Sequence, residues 1–137
     1  MADTVEFELV APEELLFSEP VELVVVPGAE GDFGVLPGHS PLISTLRTGV
    51  IAVYENDAVN RRIFVSGGFA EVTPERCTVL ADEAVALETA DRASIEERVK
   101  ADREAVDAAD DADKDNAVSA LAVSEALLAA LDTAGQA

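Results

Sequence analysis

A chain of 137 residues, 49% of them apolar, is long enough for one medium domain or a small domain with an appendage, and it has the material for a core. Its formal charge of −19, from 28 acidic and 9 basic residues, argues against nucleic acid and anionic lipid, since both require a basic face and no Lys/Arg cluster exists beyond Arg61-Arg62. So acidic a protein is steered toward basic partner surfaces, and with few aromatics and no tryptophan its core must come from Val, Leu, Ile and Ala.

Residues 1–6 carry no basic region and no apolar stretch of signal-peptide length. No run approaches the roughly 20 apolar residues that span a bilayer, so any association with a membrane is expected to go through another protein. Val5, Phe7 and Leu9 alternate with Glu6 and Glu8, the period of a half-buried strand. Pro12-Glu13-Glu14 turns the chain, residues 15–17 form a short strand, and the β-branched run 21–26 is a strand ended by Pro27-Gly28. A turn-rich segment, 28–41, follows. Strand signals resume at 42–46 and 49–54, Glu55-Asn56-Asp57 is a hairpin turn, and strands follow at 61–66, 69–73 and 77–81. No ten-residue helical pattern interrupts them, which predicts an antiparallel sandwich or flattened barrel and argues against a parallel βαβ sheet. Cys77 is the only cysteine, so no internal disulfide can form, and a lone thiol fits a reducing compartment.

Near residue 88 the chain changes character: no Pro follows, no Gly appears until Gly135, and alanine dominates. Ile95, Val99 and Val106 fall at helical spacing, with Ala105 and Ala109 filling the stripe. Ser94-Ile95-Glu96-Glu97 has the form of a capping box, with Thr89 and Asp91 as competing N-caps. The acidic stretch 110–116 breaks the pattern and should be the connection, after which Ala117, Leu121, Ser124, Leu128 and Leu131 repeat like heptads. The expected organisation is α+β: a β-sandwich over residues 1–86, then an antiparallel two-helix hairpin over 87–137.

No catalytic constellation survives inspection. A nucleophile elbow needs Gly-x-Ser-x-Gly, and Ser66 has Phe64 where the first Gly should stand. His39 is the only histidine and therefore the only triad base, and beside Ser40 in sequence it is badly placed to face that hydroxyl. One His and one Cys do not make a zinc site. The aspartates at 110, 111, 113 and 115 lack the Gly and closing Glu of a calcium loop and read as a solvated linker. Residues 28–32 imitate a phosphate loop but offer two carboxylates and no lysine. Ser66-Gly67-Gly68, between two strand signals, reads as a bulge or a close backbone approach.

The most informative segment is Pro-Gly-Ala-Glu-Gly-Asp-Phe-Gly-Val-Leu-Pro-Gly-His-Ser-Pro, residues 27–41. Its glycines and prolines fix a detailed backbone path that displays Glu30, Asp32 and His39. Rigid loops that present polar groups are commonly used for binding. Residues 30–42 resemble the signature of the ATP synthase epsilon subunit family, called delta in mitochondria. Val65-Ser66-Gly67-Gly68-Phe69-Ala70-Glu71-Val72 and Val79-Leu80-Ala81-Asp82 are similar to its second and third blocks. The resemblance covers the whole chain, strongly over residues 5–84 and weakly from residue 86 onward.

What the resemblance implies is a ten-stranded β-sandwich that packs against the gamma subunit and sits on the ring of c subunits. The implied chain is a non-catalytic rotor part of a proton-translocating synthase, on the cytoplasmic face of a bacterial inner membrane. Glu30, Asp32, Phe33 and His39 would face the polar loops of the ring, and contact with the alpha and beta subunits would be transient. In some members the hairpin blocks ATP hydrolysis through basic residues on its last helix. Here no Lys or Arg follows Lys114, so the acidic helix should be repelled by the acidic segment it would meet. Some members bind ATP between the hairpin helices through an aliphatic residue, Asp, two free positions and Arg-Ala. Leu87-Glu88-Thr89-Ala90-Asp91-Arg92-Ala93 is similar, with Glu for Asp and one residue too many. Glu88, Asp91 and Arg92 are the positions that would serve, but the arginines expected from the second helix are missing, and a triphosphate needs that charge. The expectation is weak or no ATP binding, no resident cofactor or metal, and little inhibition. Two readings compete: a β-sandwich that senses a small ligand such as a nucleotide, with the hairpin as lid, and an enzyme relying on carboxylates alone.

Overall fold

The computed structural model describes residues 4–12 and 14–134. The N-terminal residues, Glu13 of the expected first turn and Gly135 lie outside the described residues. Two compact units divide the chain, Met1–Glu88 and Thr89–Ala137.

Among the described residues the first unit holds eight strands: β1 Val5–Ala11, β2 Glu14–Val21, β3 Leu23–Gly28, β4 Gly31–Val35, β5 Leu42–Thr45, β6 Gly49–Glu55, β7 Ala58–Val72 and β8 Arg76–Ala86. Hydrogen bonding links them in the order β2-β1-β8-β7-β6-β3-β4, with β5 on the far half of β7. The sheet folds over on itself around one core. Val5, Phe7 and Leu9 of β1, Val24 and Val26 of β3, and Ile51 and Val53 of β6 are all buried there, so the period-2 pattern places every second side chain inward. Phe7 and Phe17 meet at 5.3 Å, and the Arg61 guanidinium lies 4.8 Å above the Phe17 ring.

Three features depart from the sequence reading. Residues 61–66 and 69–73, read as two strands, belong to one continuous β7 that passes through Gly67-Gly68. The turn-rich segment 28–41 contains a strand, β4, hidden by its glycines from any alternation count. The sheet is not wholly antiparallel, because β1 pairs parallel with β8, Phe7 opposite Cys77 and Leu9 opposite Val79. The β6–β7 turn forms as read: Asn56 and Asp57 have φ of 55° and 63°, the double positive φ of a two-residue hairpin turn whose twist matches the strands.

In the second unit, α1 runs Arg92–Ala108 and α2 Lys114–Ala134, preceded by a single 3-10 turn at Leu87–Thr89. Asp91 is the N-cap, accepting from the Ala93 N–H at 3.2 Å and the Ser94 hydroxyl at 2.7 Å. The expected connection, 110–116, is shorter than read, since Lys114, Asp115 and Asn116 are already helical. Arg92 pairs with Asp132, Arg103 Nη2 lies 3.1 Å from Glu125 Oε2, and Lys114 Nζ donates to the Val106 carbonyl at 2.9 Å. These contacts hold the helices antiparallel. Ile95 and Val99 of α1 and Ser124 and Leu127 of α2 are buried, whereas Ala105 is exposed and Leu128 only half-buried.

By length and composition α2 is apolar enough to cross a membrane, contrary to the sequence expectation. Its hydropathy is spread over alanines instead of a dense Leu/Ile run, and it carries Glu125 paired to Arg103 on the neighbouring helix. A carboxylate at that depth in hydrocarbon is costly.

Candidate functional site

The loop that joins β3 to β5 is built from its glycines and prolines. β3 and β4 form a hairpin with Gly28 opposite Gly31, leaving Ala29 and Glu30 at its exposed tip. Gly31 sits at φ 137°, and a Cβ on Gly28 would come within 2.8 Å of the Gly31 carbonyl and 2.9 Å of the Phe33 ring. The tip is tight enough that only glycine fits at its base. After β4 the chain makes a second turn, in which the His39 N–H donates to the Leu36 carbonyl at 3.2 Å. Pro37 pre-sets the first central φ and Gly38, at φ 84°, supplies the second, the requirement of a type II turn. The Gly38 N–H donates to the Pro74 carbonyl at 2.8 Å and ties this turn to the β7–β8 connection.

The tip of the β3–β4 hairpin meets the end of β5, where the Ala29 N–H donates to the Thr45 carbonyl at 2.9 Å. Between them lies an open cleft of about 620 Å³, lined by Glu30, Asp32 and Phe33 on one side and Leu42 and Ile43 on the other. Ile43 is 70% exposed and Leu36, on the loop above, 58%. Of the four residues expected to face a partner, the structure brings Glu30, Asp32 and Phe33 to this cleft. His39 stands on the next turn, outside the lining, with Nδ1 2.6 Å from the Ser40 carbonyl oxygen. His39 therefore engages the Ser40 main chain.

Sequence reasoning missed Arg47. Its Nη1 donates to the Gly28 carbonyl at 2.6 Å, its Nη2 pairs with Asp32, and its own N–H donates to the Pro27 carbonyl at 3.0 Å. One signal was legible: Arg47 is the only Lys or Arg in the first 60 residues of a very acidic chain. Its partner was not.

The second set of candidate residues is occupied locally. Glu88 Oε2 accepts the Arg62 N–H at 2.8 Å, Asp91 caps α1, and Arg92 is shared between Asp132 and Glu96, the latter at 3.6 Å. The hydrogen bond and charge of Asp132 push the Arg92 guanidinium above its ordinary pKa. No described residues gather into a metal-binding group. Cys77 is fully buried, and burial pushes its thiol from 9.0 up to about 12, so it is no nucleophile.

Residues 4–87 match the family model of the ATP synthase delta/epsilon chain beta-sandwich domain. The ATP synthase epsilon chain of Rhodospirillum rubrum is 58% identical over 131 residues, covering 95% of this chain and 98% of that one. That of Paramagnetospirillum magneticum is 49% identical over 132 residues, covering 96% and 99%. Among solved structures, a chain of the Euglena gracilis mitochondrial ATP synthase, seen with OSCP, F1 and the c-ring in one rotational state, superposes with a TM-score of 0.77. It is 29% identical, over 96% of this chain and 83% of that one. A chain from the Tetrahymena thermophila central stalk and c-ring shares the fold at 15% identity and a TM-score of 0.57.

Proposed function

The chain belongs to the ATP synthase delta/epsilon family, and from that premise we propose that it is a non-catalytic central-stalk subunit coupling the catalytic head to the c-ring. The observation that carries this is the near full-length identity to epsilon chains, 58% over 95% of the sequence, joined to a sandwich whose glycine- and proline-built loop exposes Glu30 and Asp32. Torque transmission asks for a stiff body, and a close-packed β core with few voids supplies one. Its partners are gamma and the c-ring, with transient contact to alpha and beta. It acts at the cytoplasmic face of a bacterial inner membrane, which it meets only through the complex.

We assign the ring-facing role to Glu30, Asp32, Phe33 and His39. Support comes from the cleft that gathers the first three and from the hydrogen bonds that fix the turn bearing the fourth. The chain does no chemistry of its own. The hairpin, whose second helix has no Lys or Arg beyond Lys114 and whose Arg92 is engaged with Asp132, is weakly inhibitory at most and does not hold ATP tightly. Tagged chain purified from native membranes should bring gamma, alpha, beta and c subunits with it. Recovery of the chain without them would end the rotor assignment, and tight nucleotide binding by the free chain would favour the ligand-sensing alternative.

A further inference from the structure

The ring-facing loop carries two carboxylates, and the structure treats them differently. Asp32 is neutralised within the molecule by Arg47, whose side chain also reaches the Gly28 carbonyl. Glu30, exposed at the tip of the β3–β4 hairpin, has no hydrogen bond or ion pair among the described residues. Arg47 thus grips the hairpin at three points on its base and strand: Pro27 through the main chain, Gly28 and Asp32 through the guanidinium. A guanidinium fork satisfies two acceptors in fixed geometry, which an ammonium cannot do. Resting on the reading that this loop faces the ring, we propose that Arg47 is the positioning residue of the loop and that Glu30, more than Asp32, is the carboxylate met by a basic or hydrogen-bonding group of the partner.

The physical argument is one of competition. A partner cation approaching Asp32 must share it with Arg47, which is fixed at contact distance on the same chain, so the gain is small. A cation approaching Glu30 displaces only water. Without Arg47 the hairpin would lose a charge-assisted bond at Gly28, and two uncompensated carboxylates would lie within one turn of each other. The loop would then be free to shift although the core beneath it stays intact.

The test uses full-length chain and enzyme stripped of it, and measures rebinding affinity against salt concentration. Glu30→Gln should weaken binding about three- to tenfold at low salt and flatten the salt dependence, with Asp32→Asn costing clearly less. Arg47→Met should weaken binding more than either, and Arg47→Lys should restore only part. Hydrogen exchange gives the positioning readout: amides of residues 29–33 should exchange faster in Arg47→Met but not in Glu30→Gln, with the melting temperatures of both variants close to that of the parent. Asp32→Asn matching or exceeding Glu30→Gln, or Arg47→Met leaving exchange and affinity unchanged, would overturn the inference. Failure of the unsubstituted chain to rebind would instead strike at the rotor reading itself.

Discussion

Gly67 and Gly68 take φ of 71° and 101° in the middle of β7, where two elements meet closely. A Cβ on Gly68 would stand 1.9 Å from the Leu80 carbonyl oxygen, and one on Gly67 2.2 Å from a carboxylate oxygen of Asp82. The clash at Gly68 is with backbone, which cannot swing aside. Gly68→Ala should therefore cost about 2–4 kcal/mol in urea unfolding, more than Gly67→Ala, whose obstacle is a side chain. Cys77 makes a pH prediction. Its thiol holds its proton up to about pH 12 in the fold but only to about 9 once unfolded. The folded state thus keeps a proton that the unfolded state releases. The stabilisation is whole below pH 9 and falls by about 1.4 kcal/mol per pH unit as pH rises toward 12. Comparing unfolding of the parent and Cys77→Ala across that range isolates the slope. A native thiol that reacts promptly with a maleimide at pH 8 would contradict the burial.

Among the elements, the β6–β7 hairpin and the α1–α2 hairpin are stabilised differently. The first turns on Asn56-Asp57, both at positive φ, where asparagine is at home and aspartate less so. Asp57→Gly should stabilise the sandwich by roughly 0.5–1 kcal/mol, read as a shift in denaturation midpoint. The helical hairpin has a narrower seam. Ile95, Val99 and Val106 line α1, but Asp102 takes the position between Val99 and Val106, and its Oδ2 is buried without a hydrogen-bond partner among the described residues. An unsatisfied acceptor costs about 1–3 kcal/mol. Asp102→Leu should recover part of that and raise the helical unit's resistance to urea, whereas Leu127→Ala, truncating a side chain only 1% exposed, should lose about 2–4 kcal/mol. The cross-helix pairs at Arg92 and Arg103 are exposed on both partners, so they orient more than they stabilise, and salt weakens them.

For the molecule as a whole, the hydrophobic core from Val5 to Ala81 is complete within the first unit. A chain cut after Ala86 keeps all eight strands and should remain cooperatively folded by circular dichroism. Assembled into the enzyme, the same truncation should change ATP hydrolysis little, because the lost helices have no cation beyond Lys114 to engage an acidic neighbour. A large rise in hydrolysis would show that the hairpin restrains the motor after all.

The sequence by itself determined the elements and the loop. Alternating apolar residues set most of the strands, a Pro-Gly pair set the turn at residues 37–38, and the loss of Gly and Pro after residue 88 set the helices, because each signal acts over a few neighbouring residues. It also marked residues 30–39 as the segment to watch. Only the tertiary structure decided that β1 runs parallel to β8, that β7 is one continuous strand, that Asp102 lies on a buried stripe, and that Arg47 holds Asp32 and leaves Glu30 without a partner among the described residues. Each of these depends on which distant segments the closing sheet or the pairing helices bring together, and local pattern carries no record of a partner chosen 15 or 70 residues away.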